Sequence, residues 1–133
     1  MKKIILLIFL STIFYFNAKS QSRLGYKEEA IYLEYPNKHF KVDYANDGSK
    51  YIYFQDPEAR YNFYLNSNNV CDLFVIIFID LKYMNKRISK LNDEAVKISN
   101  TEWLKYMDKG IIKITFNSDD GLPILRYEYE EIY

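Results

Sequence analysis

The sequence predicts an α+β domain, an antiparallel sheet of about six or seven strands with two helices packed on one face. Three observations predict it. Two Asp-Gly pairs, Asp47-Gly48 and Asp120-Gly121, separate segments that alternate apolar and polar residues, the strongest short hairpin signal. The run Val70 to Ile79 is almost wholly apolar, as expected of a central strand buried on both faces. After it, Leu81, Met84, Ile88 and Leu91 recur at helical spacing behind Asp80, a capping residue.

Taken in order, the chain starts with a charged Met1-Lys2-Lys3, then thirteen mostly apolar residues, Ile4 to Phe16, then Ala18 and Ser20. This is the pattern of a bacterial signal peptide over residues 1–20, cleaved after Ser20, with Ser22 the near alternative. At about 1.5 Å per residue the apolar run reaches only ~20 Å, short of a ~30 Å hydrocarbon core. No Cys lies at the junction to carry a lipid. Residues 21–133 are then one secreted or periplasmic domain with no stable membrane anchor after cleavage. Loss of Lys2, Lys3 and Lys19 leaves 15 basic against 18 acidic residues, a net charge of −3.

Within that domain, Ser22 is expected to cap a helix over Arg23 to Tyr35, ended by Pro36. Phe40 to Tyr44 alternates as a half-buried strand. A two-residue loop at Asp47-Gly48 pairs Tyr44 with Tyr51 and Val42 with Tyr53, so that all four share one face. A third strand covers Arg60 to Leu65, with Tyr61, Phe63 and Leu65 inward, and Asn66 to Asn69 is a turn. The second helix covers Leu81 to Asn92, and Val96 to Ser99 is a short strand. Trp103, the single Trp, and Phe74 are expected core anchors. In the last hairpin a two-residue loop sets Phe116 opposite Leu125, Ile114 opposite Tyr127, Ile112 opposite Tyr129 and Lys113 opposite Glu128. A helix and an Asp-Gly hairpin in each half raise the idea of an internal duplication.

Composition excludes several classes. Whole-chain charge is zero, with 18 basic and 18 acidic residues, so nothing favours a nucleic-acid partner. With 49% hydrophobic residues the chain is not disordered. One His and one Cys cannot assemble a usual zinc site, and no cofactor is expected. His39 is expected at a strand edge on the surface, and Cys71 as a buried thiol. No nucleophile motif or Gly-rich phosphate loop is present, and Asn117 to Gly121 fails the spacing of a calcium loop. Lys82, Lys86, Arg87 and Lys90 form a solvated basic face of the second helix. The chain carries 14 tyrosines, explained either by strand packing or by a tyrosine-rich contact surface.

The candidate binding residues are Ile52, Phe54 and Tyr64. If Tyr51 and Tyr53 point to the helices, pleat alternation sends Ile52 and Phe54 to the open face, where Tyr64 joins them. Lys41, Asp43, Lys113, Arg126 and Glu128 rim this cluster, as expected of a contact site. The alternative is that a loop or the tail Tyr129 to Tyr133 covers the cluster.

The stretch Asp93-Glu94-Ala95-Val96-Lys97-Ile98-Ser99-Asn100-Thr101-Glu102-Trp103 resembles a pattern of short secreted bacterial proteins of an uncharacterised family. In these a helix ends in Asn or Asp, Val-Lys-Ile/Leu-Ser follows, and Trp comes four residues later. The resemblance implies export and a compact domain, and carries no activity. The helix-plus-sheet units also distantly resemble small periplasmic inhibitor and assembly-factor modules, in architecture alone. The expected function is an exported, non-enzymatic binding module for an unknown protein or glycan partner. The alternatives are an inhibitor or immunity-type partner of an exported enzyme, with Asp119-Asp120 entering a cleft, and a small hydrolase using carboxylates.

Overall fold

The computed structural model describes residues 23–132. The signal peptide, both cleavage positions and the Ser22 cap lie outside the described residues. Helix α1 (Glu28–Glu34) precedes strands β1 (Lys41–Tyr44), β2 (Lys50–Gln55), β3 (Ala59–Leu65) and β4 (Cys71–Phe78). Helix α2 (Leu81–Glu94) precedes β5 (Val96–Ser99), β6 (Glu102–Met107), β7 (Gly110–Asp119) and β8 (Leu122–Ile132). All eight strands form one antiparallel sheet in the order β1-β2-β3-β4-β8-β7-β6-β5. The α+β class holds, with eight strands rather than six or seven.

The additional strand is β6. Its Trp103, Lys105 and Met107 point the same way, since Trp103 lies opposite Ile114 and Lys105 opposite Ile112. A lysine between two apolar residues breaks the alternation that would have marked the strand. The topology also redraws the duplication. Each half is a helix followed by a four-strand meander, and the two meanders join through their last strands, β4 and β8. The Asp-Gly turns are not equivalent in this scheme, because one joins the first two strands of its meander and the other the last two.

The first helix is shorter than the sequence suggests. Residues before Glu28 pair with the start of β4 instead. The Gly25 N–H donates to the Cys71 carbonyl and the Cys71 N–H to the Tyr26 carbonyl, both at 2.8 Å, and Lys27 bridges to Val70. Gly25 takes φ +86°, a left-handed conformation that turns the chain out of a helical path. Tyr35, the residue before Pro36, leaves the helical region at φ −129° and ψ 62° and ends α1. Helix α2 is capped as predicted, with the Asp80 carboxylate accepting from the Lys82 N–H at 2.8 Å, and runs to Glu94. Met84, Ile88 and Leu91 join the core, but Leu81 is exposed. Its place is taken by Tyr83, whose ring meets Phe78 and whose hydroxyl is 2.7 Å from that of Tyr61.

The two hairpins part company. Around Asp120 (φ 51°) and Gly121 (φ 79°) the loop has two residues, both left-handed, and every predicted partner of β7 and β8 is found. At Asp47-Gly48 the loop has three residues. Gly48 donates to Ala45 O at 2.9 Å, Ala45 donates to Ser49 O at 2.8 Å, and Gly48 alone is left-handed, at φ +88°. This is a turn closed by a left-handed glycine bulge, and it shifts the register by one residue, to Tyr44 opposite Lys50 and Val42 opposite Ile52. Nothing crowds a Cβ at Gly48, so the cost of Gly48→Ala is conformational. It should lower stability by about 1 kcal/mol in urea titration, and Gly48→Asn by less.

The core follows from these registers. Ile52, Phe63, Phe74, Tyr127, Ile114 and Trp103 lie opposite one another across six adjacent strands, all at most 6% exposed. Phe63 stacks on Phe74 at 4.8 Å, and Phe74 meets Tyr127 at 5.4 Å. Tyr35, just after α1, packs on Phe54 and Phe63, and Asn92 of α2 accepts the Trp103 indole N–H at 2.9 Å. Trp103 and Phe74 are thus core anchors as expected. Strand β1 is an edge, and all four of its residues are exposed rather than half-buried.

Candidate functional site

The register of β2 decides which side chains meet solvent. Ile52 is fully buried and Phe54 is 4% exposed, both within the core. Of the three candidate binding residues only Tyr64 lies on the other side of the sheet, half-buried, opposite Tyr51. The expected facing of β2 is therefore inverted. Tyr51 and Tyr53 point away from the core, while Val42 and Tyr44 share the side of Ile52 and Phe54. The physical reason is chemical as well as geometric. Both faces of Lys50 to Gln55 carry large side chains, and the pair with no polar atom, Ile52 and Phe54, takes the dry side. The tyrosines bury ring edges and keep their hydroxyls wet. That difference is legible in the sequence, and the three-residue loop agrees with it.

On the open face three tyrosines and an arginine form one cluster. The Tyr51 ring is 4.8 Å from that of Tyr64 and 5.8 Å from that of Tyr53. The Arg60 guanidinium lies 3.9 Å from the centre of the Tyr53 ring, a close cation–π contact, and its Nε donates to the Asn62 amide oxygen at 3.1 Å. Asn62 is 4% exposed, so this bond ties the guanidinium to a buried side chain. Partial burial, followed by the nearby Asp43 carboxylate, raises the Tyr51 hydroxyl pKa, which keeps it neutral.

Next to the cluster the registers place an aliphatic strip. Tyr64 faces Leu73, Asn62 faces Val75, Arg60 faces Ile77, and Ile77 faces Ile124. Asn62, Tyr64, Leu73, Val75, Ile77 and Ile124 line a shallow groove of about 720 Å³, with Asp47, Asp119, Arg126 and Glu128 among its other walls. The charged rim expected at Lys41, Asp43, Lys113, Arg126 and Glu128 is on this face. Asp43 lies opposite Tyr51, Lys41 opposite Tyr53, and Arg126 opposite Val75. Lys113 and Glu128 are register partners, but their ion pairs go elsewhere. Lys113 reaches Glu102 and Glu130 at 3.7 and 3.9 Å, and Arg126 reaches Glu128 at 3.5 Å. The tail does not fold across the cluster, because Tyr129 to Ile132 continues β8 and pairs with β7.

The other singled-out residues fall as follows. His39 is exposed beside α1. Cys71 is fully buried, its thiol 3.5 Å from the Leu73 carbonyl, and burial pushes its pKa up to about 12, so it stays a thiol. Lys82, Lys86 and Lys90 are exposed on α2, but Arg87 turns inward and donates to the Tyr127 hydroxyl at 3.4 Å. Among the described residues no group of three or more His, Cys, Asp or Glu side chains is placed to hold a metal ion. None of the family models, curated proteins or solved structures compared with this chain matches it.

Proposed function

We propose that the chain is an exported, non-enzymatic binding module that docks a protein partner on the open face of its sheet, with both helices packed on the opposite face. The observation that carries this is the Tyr51–Tyr53–Tyr64–Arg60 cluster beside an aliphatic strip and a charged rim. Tyr and Arg dominate interface hot spots, because each offers a large contact area with a polar end. Here Arg60 is already held by Asn62 and Tyr53, so little ordering is left to the moment of binding. Export rests on the leader-like N-terminus and on the resemblance to short secreted bacterial proteins. Among the described residues no helix is long and apolar enough to cross a membrane.

The inhibitor reading has one observation of its own. The β7–β8 hairpin outreaches its neighbours, since β4 pairs with β8 only as far as Ile124 and β6 with β7 only as far as Thr115. The exposed tip carries Asp119 and Asp120, and Asp119 also lines the groove. A protruding acidic turn at the rim of a docking face suits insertion into a basic cleft.

The test is photo-crosslinking in the envelope fraction. A crosslinker at position 53 or 77 should trap a protein, whereas one at the exposed Leu33 or Leu81 should not. Tyr51→Ser combined with Tyr53→Ser should abolish capture, because hot-spot truncations cost at least about 2 kcal/mol each. Trapping of a glycan alone, or capture unchanged in the double variant, would reject the proposal.

A further inference from the structure

Arg87 lies between α2 and the sheet in an unusual setting. Its surroundings are the hydroxyl-bearing rings of Tyr61, Tyr83 and Tyr127, and its hydrogen bond among the described residues is the long contact to Tyr127. Among the described residues no carboxylate lies within ion-pair distance of its guanidinium. Tyr61 and Tyr127 have raised pKa values, chiefly through burial, so neither supplies a negative charge. A largely desolvated cation without a counter-charge is costly, and a bound anion would relieve the cost.

Arg87 opens onto a cavity of about 290 Å³ between the second half of α2, strands β6 to β8 and the segment around Leu24. Leu24, Leu91, Met107, Ile112 and Ile114 make its walls apolar. Lys90, Lys105 and Lys109 also line it, against the acids Glu94 and Asp108, so with Arg87 the lining is net positive. Glu94 is engaged by Lys90 at 3.7 Å, and Lys105 and Lys109 make no ion pair among the described residues. An apolar chamber with a cation at its wall is the complement of an amphipathic anion. The volume is at the small end of the ~300–1,000 Å³ typical of small-molecule sites, which suits one short chain rather than a phospholipid.

We propose that this cavity binds a medium-chain fatty carboxylate. The carboxylate pairs with the Arg87 guanidinium, whose planar fork matches its two oxygens, and the Tyr127 hydroxyl donates to it. The hydrocarbon lies against Leu24, Leu91, Ile112 and Ile114. This site is on the opposite side of the sheet from the tyrosine cluster and stands or falls independently of it.

Titration calorimetry of the full chain with decanoate, decanol and octanoate tests the assignment. Decanoate should saturate one site per chain, octanoate should bind more weakly by about fourfold per methylene removed, and decanol should bind at least about tenfold more weakly than decanoate. Arg87→Gln should weaken decanoate by about tenfold or more and leave decanol unchanged. Met107→Trp, which fills the chamber, should weaken both. The comparison of decanoate with decanol needs no variant, so it stands even if a variant fails to fold. No saturable binding, equal affinities for decanoate and decanol, or an unchanged decanoate affinity in folded Arg87→Gln protein would overturn the proposal.

Discussion

Trp103→Ala should bring the domain close to unfolding. The indole is fully buried at the end of the six-strand core row, opposite Ile114, and its N–H is bonded to Asn92 of α2. Truncating such a ring costs about 3–5 kcal/mol, against a total of about 5–15 for a domain. The melting temperature should fall by more than about 12 °C. Trp103→Phe separates packing from the hydrogen bond. It keeps most of the ring and releases Asn92, which is exposed and recovers its partner from water, so the loss should be about 1–2 kcal/mol. Urea denaturation followed by far-UV circular dichroism measures both. A Trp103→Ala melting temperature within about 2 °C of wild type would mean the indole is not a core anchor.

Phe54→Ser should destabilise strongly, and Tyr64→Ser should not. The Phe54 ring lies 4.9 Å from Tyr61, 5.1 Å from Phe40 and 5.2 Å from Tyr35, so it links β2 to β3, to the chain before β1 and to the cap of α1. Its removal costs about 3–5 kcal/mol, and the buried serine hydroxyl adds to that. Tyr64 gives up mainly its tilted ring contact with Tyr51, worth about 0.5–1.5 kcal/mol. The two single variants, compared by thermal melting, read out which way β2 faces. Equal losses would mean that Tyr64 is as much a core residue as Phe54, and the open-face site would go with it.

Several elements are legible in the sequence, and they share a property. The β7–β8 hairpin, the Asp80 cap, the central strand β4 and the end of α1 at Pro36 are each set by chemistry within a few residues. Two consecutive left-handed residues at Asp120-Gly121 allow one loop length, and that loop length sets the whole register. The burial of Trp103, Phe74 and Cys71 follows from apolar chemistry alone.

What misled were positions where two local solutions lie close in energy. Asp47-Gly48 fits a two- or a three-residue loop, and the choice inverted β2 and with it two of the three candidate site residues. Arg23 to Lys27 can be helical in isolation, but pairing with Cys71 and Val70 offers hydrogen bonds that only the folded chain supplies. Lys105 hid β6 because its inward place opens onto a cavity, which no local pattern reveals. Arg87 reads as one more charge on a basic helix face until α2 is laid across Tyr127.

Local chemistry sets the α+β class, the Asp80 cap, the second hairpin's register and the apolar anchors, because these depend on side-chain chemistry and backbone freedom close in the chain. The eight-strand order, the pairing of β4 with β8, the side on which the tyrosines gather and the cavity beneath α2 arise in the folded chain alone. Each of these sets residues far apart in the chain against one another, and their relative energies exist only once the sheet has closed around its core.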